Sequence, residues 1–207
     1  MKTAKPLIFS DALIEKTMRP LQEGFFELPW AEKDFYMDFL VHCFHVQSSF
    51  GQVLSQTEEA CRRRAGGLWR DFYAHIRQEA GRADLAFRDV RALGGNPESR
   101  VTLPLAAALW EPQLTKLLQQ PSAPLGFIFA WENLAVMRFS ELLDLVVTLY
   151  GEEASHYVRS VVDSAQYLAE ASLDRIRHLP EAELPAVISN FMQTCQLMEA
   201  LFWFKLK

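Results

Sequence analysis

Three stretches of the chain place ionisable side chains at helical spacing, where they would share a face. The first is Phe72, His75, Glu79, Arg82 and Ala86, at three- and four-residue steps. The second centres on Glu132, a carboxylate in the apolar row Leu125, Phe129, Glu132, Val136, Phe139 and Leu143. The third is His156, Arg159, Asp163, Gln166 and Glu170, flanked by Val158, Val162, Ala165 and Ala169. Desolvating a carboxylate without a partner costs several kcal/mol, so such a group needs a metal, a cation or a proton. Arginine stays protonated and offers a planar fork of donors that matches carboxylates, but it cannot ligate a metal. Three helices thus each offer polar groups along a face that otherwise packs, and Glu79, Arg82, Glu132, Arg159, Asp163 and Gln166 are the candidates for one central cluster. Phe72, His75, Phe129, Phe139 and His156 would line the pocket above it.

The elements that must position these groups read as helices almost throughout. Ser10-Asp11 can cap a first helix to about Met18, before Arg19-Pro20 stops it. Glu32 to Gln56 is a long amphipathic stretch, and a further helix starts near Gly66-Gly67 and runs to Leu93. Gly94-Gly95-Asn96-Pro97 is a strong stop. Helices then follow over Pro104–Gln120, Leu125–Tyr150, Glu152–Leu179 and Glu183–Phe204, each bounded by Pro or Gly. The expected fold class is all-α, a single compact bundle of about seven helices forming one domain over residues 1–207.

The stretch His75–Gly94, HIRQEAGRADLAFRDVRALG, resembles the helix H-x-x-E-x-G-H-x-x-L-x-x-x-D-x-x-x-L-G of the heme-oxygenase-like superfamily, in its branch of iron-containing redox enzymes. Pro124–Glu132 is similar to that family's P-x-x-x-G-y-x-y-x-x-E helix, and Arg159–Gln166 to its H-x-x-x-D-x-x-H triplet. Likeness at a low level extends over roughly Phe35 to Lys207. The wider group includes dinuclear non-haem iron oxidases, the PQQ-synthesis oxidase and thiaminase II.

The resemblance implies that Glu79, Glu132 and Asp163 stand at iron-ligand positions. It also implies that three ligand histidines have become Arg82, Arg159 and Gln166. Arginine–carboxylate pairs would then replace the metal centre, so no cofactor is expected. Such a protein would bind a small amphipathic or anionic molecule, or support a partner enzyme. The alternative is an oxidase holding iron or manganese through Glu79, Glu132, Asp163, His75 and His156, since carboxylate-rich ligation suits the harder metals. A homodimer is a further option, because relatives dimerise and aromatics such as Trp30 and Trp203 could serve an interface.

Composition narrows the partners. A net charge of −5 with a pI near 5.6 argues against nucleic acid. No window approaches the roughly 18 apolar residues of a membrane span, and the N-terminus lacks a signal-peptide apolar run, so a cytoplasmic location is expected. Three widely spaced cysteines, Cys43, Cys61 and Cys195, suggest reduced thiols. Cys195 is expected to be a small core residue, and His42-x-x-His45 a packing feature. No P-loop, G-x-S-x-G, Rossmann fingerprint or H-E-x-x-H occurs, which removes the commonest nucleotide-binding, hydrolase and zinc-protease readings.

Overall fold

The computed structural model describes residues 9–100 and 104–205, with the side chains of residues 49–66, 68–69, 71–76, 78–80 and 203–205 left undescribed. Over these residues the chain is helical and carries no strand. Ser10 caps α1 (Asp11–Phe26), its hydroxyl accepting the Leu13 N–H at 3.3 Å. Contrary to the sequence expectation, α1 does not stop at Pro20 but continues through it. A proline inside a helix costs about 3 kcal/mol or more. Met18, Leu21 and Phe25 on either side are almost wholly buried, and that burial offsets the cost.

The next element, α2 (Lys33–Ala92), is 60 residues of unbroken helical pattern. The sequence suggested two elements here, Glu32 to Gln56 and a helix from near Gly66-Gly67 to Leu93, where the structure has a single helical run. A straight helix would set Phe44 and Phe87 roughly 65 Å apart, yet their ring centroids are 5.5 Å apart. Near the ends of the run, Arg100 donates to Asp34 at 2.8 Å and also pairs with Asp38. The chain must therefore reverse direction between Phe44 and Phe87. Gly67, between these two contacts, is exposed. In that sense α2 is an outgoing arm and a return arm lying side by side.

The return arm ends in a glycine-dependent cap. Gly95 N–H donates to the Val90 carbonyl and Gly94 N–H to that of Arg91, both at 2.9 Å, a Schellman arrangement. Gly94 has φ +81°, which glycine adopts without the Cβ penalty. A short 3₁₀ turn, Pro97–Ser99, leads on towards α3 (Pro104–Gln119). Then come α4 (Pro124–Tyr150), a 3₁₀ turn over Glu152–Ala154, α5 (His156–Arg177) and α6 (Leu184–Lys205).

Helix α4 occupies the middle, packing chiefly against α5 and α6. Its approach to α6 is backbone to backbone: a Cβ placed on Gly126 would lie 2.2 Å from the Val187 carbonyl oxygen. All six helices feed one apolar core, with Met18, Tyr36, Leu109, Phe129, Val161 and Phe191 among its members. Trp30 belongs to this core at 3% exposure, its indole N–H on the Phe25 carbonyl at 2.7 Å, so it is not available to the interface it was suggested to serve. Trp203 lies outside the described side chains. Among the described residues, no helix is long and apolar enough to cross a membrane.

Candidate functional site

Arg82, on the return arm, is 3% exposed. Its guanidinium reaches across to α5, donating to the Ser164 hydroxyl and, at 3.4 Å, to the Ser160 carbonyl. A permanently charged side chain is thus held at the α2–α5 seam by oxygen acceptors, the arrangement a buried cation requires. Glu132 is completely buried in the middle of α4, in a row with Ile128, Ala135, Phe139 and Leu142. The expected row ran through Val136, which is instead 37% exposed. The buried stripe is centred on Glu132, Ala135 and Phe139, so Val136 falls at its solvent-facing edge.

The α5 members of the expected cluster lie elsewhere. Arg159 is exposed and pairs with Glu152, a surface contact. Asp163 is exposed, and so is Gln166, whose side chain bonds Glu170 one turn on. These residues form the solvent face of α5. Its buried face is Tyr157, Val158, Val161, Ala165, Leu168 and Ala169. Apolar residues on a helix go to the core, and the polar row opposite them is solvated. Phe129 and Phe139 are packed in the aromatic core: Phe129 lies edge-on to Phe9 at 5.4 Å, and Phe139 lies 5.7 Å from Phe25. The side chains of Phe72, His75 and Glu79 lie outside the described residues.

The fit to a metal can be judged from these placements. Among the described residues, no group of three or more His, Cys, Asp and Glu side chains could hold a metal ion. The α5 positions that the resemblance assigns to ligands face outward, and Arg82 directs a positive charge inward. The described residues do not fit a dinuclear iron centre.

One polar constellation escaped the sequence reading. Asp89, on the return arm, is fully buried and caps α5 from a distance. One oxygen accepts the Tyr157 N–H at 2.8 Å, and the other faces His156 Nδ1 at 2.9 Å. Ser155, which precedes α5, supplies no side-chain cap. Burial pushes the Asp89 carboxyl above its usual range, against the opposing pull of the Tyr157 N–H and His156. Beside it, the Tyr36 hydroxyl donates to the Ala154 carbonyl at 2.9 Å and its ring stacks on Tyr150 at 5.2 Å. Burial drives that phenol far above its ordinary range. The signal for Asp89 was present as the Asp in D-x-x-x-L-G, but nothing local says that its partner is a distant helix.

His42 Nδ1 faces the Asp38 carbonyl one turn back, and His42 borders a small apolar cavity with Trp30, Phe35, Phe39 and Phe202. Cys195 is buried against Met18, sulfur to sulfur at 3.5 Å. No protein-family model, curated protein or solved structure matches the chain.

Proposed function

We propose that this chain is a heme-oxygenase-like protein that carries side-chain charge in place of the metal of iron-containing redox enzymes. Its role is to bind a small anionic or amphipathic molecule, or to support a partner enzyme, and not to carry out oxygen chemistry. The observation behind this reading is Arg82. It stands where the resemblance expects a ligand histidine, is buried, and is fixed to Ser164 and Ser160 of α5. A guanidinium keeps its proton at any physiological pH, so it repels a cation and attracts a carboxylate or phosphate. An iron or manganese oxidase built from Glu79, Glu132, Asp163, His75 and His156 is less well supported, since Asp163 faces solvent and His156 is engaged by Asp89.

Elemental analysis of protein purified without chelators tests the reading, together with thermal unfolding before and after anaerobic loading with ferrous or manganous ions. The expected result is substoichiometric metal and an unchanged unfolding temperature. Two metals per chain, or a rise in unfolding temperature on loading, would overturn it.

A further inference from the structure

A cleft of about 360 Å³ runs between α3 and α6, away from Arg82. Its polar members include Gln113, Lys116, Gln193 and Thr194, and its apolar wall is Ala108, Pro112 and Leu197. The volume falls within the range of small-molecule sites.

Among the described residues, the charge at this cleft meets only neutral partners. Lys116 Nζ donates to the Asn190 amide oxygen and, at 2.9 Å, to that of Gln193, both neutral. Among the described residues, no carboxylate lies within ion-pair distance of it. The supporting amide is fixed: Asn190, 1% exposed, donates to Gln113 Oε1 at 2.7 Å and to the Ala123 carbonyl at 2.8 Å. That leaves its oxygen for the lysine. Gln193, by contrast, is exposed and can yield its place to a ligand. A single cation beside neutral amides matches a single negative charge, whereas a phosphate dianion would call for a second cation.

We propose that the α3–α6 cleft binds a small monocarboxylate, its anionic head on Lys116 and its aliphatic chain against Ala108, Pro112 and Leu197. This does not depend on the Arg82 reading. Partial burial lowers the proton affinity of the Lys116 ammonium in the free protein, and a bound carboxylate would raise it again.

Hexanoate is a suitable probe, with hexanol and hexyl phosphate as comparisons, followed by calorimetry and by NMR of ¹³C-labelled lysine. Hexanoate should bind saturably and hexanol should not, and Lys116→Met should weaken hexanoate at least tenfold while Lys116→Arg retains it. Should the Met variant fail to fold, the wild-type protein still answers, because saturation with hexanoate must move the Lys116 titration to higher pH. Equal binding of hexanol, tighter binding of hexyl phosphate, undiminished affinity in the Met variant, or an unmoved lysine titration would each overturn the assignment.

Discussion

Asp89 and Tyr157 are joined by a hydrogen bond of 2.8 Å that ties the return arm of α2 to the first turn of α5. A carboxylate at a helix N-terminus satisfies free N–H groups and lies favourably in the helix dipole. Removing it leaves a buried donor without an acceptor. Asp89→Ala is expected to cost about 1–3 kcal/mol in urea unfolding, and Asp89→Asn, which retains an acceptor, distinctly less. An unchanged stability in Asp89→Ala would mean that the cap contributes nothing.

Burial of the same carboxyl sets a pH dependence, outweighing the opposing pull of the Tyr157 N–H. The folded state raises the Asp89 pKa, so the folded protein holds that proton more tightly than the unfolded chain does. Stability contributed by this group is full below the unfolded carboxyl pKa and declines as pH rises through the elevated folded value. Wild type should therefore lose stability relative to Asp89→Asn as pH is raised from about 4. Urea midpoints of both proteins across that range check the sign, and parallel curves would contradict it.

Two arginines that looked equivalent in sequence should behave differently. Arg82 is buried on α5 acceptors, and Arg82→Ala should destabilise by about 2–4 kcal/mol through unsatisfied groups and lost packing. Arg159 makes a solvent-exposed pair, and Arg159→Ala should change stability by less than about 0.5 kcal/mol. Thermal unfolding of both variants separates the cases.

Gly126→Ala should lower stability by about 1–3 kcal/mol, because its methyl group would meet the main chain of α6 and not a side chain that could move. Gly24→Ala is the control: nothing lies within 4 Å of the added carbon, so it should be neutral or stabilise α1 by up to about 1 kcal/mol. Calorimetry on the two proteins is sufficient.

Burial pushes the Cys195 thiol up to about 12, which leaves almost no thiolate at neutral pH. The native protein should leave Cys195 unmodified by a disulfide reagent over hours, and unfolding in denaturant should expose it. Peptide mapping by mass spectrometry gives the result directly.

Much of the architecture could be read from the chain because its punctuation is local. Ser10 caps α1, Gly94 and Gly95 close the return arm, and Pro124 and Gly151 bracket α4, each through geometry its own neighbours determine. The helix start read at Gly66-Gly67 was not met: the helical pattern of α2 runs through both glycines, and its reversal shows only in contacts between residues remote in sequence. Pro20 misled, because buried neighbours outweigh a broken hydrogen bond. Glu132 was correctly placed inward by its apolar row, whereas Arg159, Asp163 and Gln166 were drawn inward by a family pattern against the evidence of their own helix. The valines and alanines of α5 already marked the opposite side as the core. Asp89 was not legible as a cap because its partner is remote in sequence.

The reversing path of α2 has a consequence for the chain's tolerance of length change. Its two arms are clasped at the base by Arg100 with Asp34 and by Phe44 against Phe87. The helical arms of the excursion beyond that clasp can lengthen by whole turns, about 5.4 Å for each 3.6 residues, without displacing it. The clasp thus insulates the bundle from the reach of the excursion. Insertions or deletions near the bend should leave the core register intact, making this the part of the molecule whose size can drift most freely.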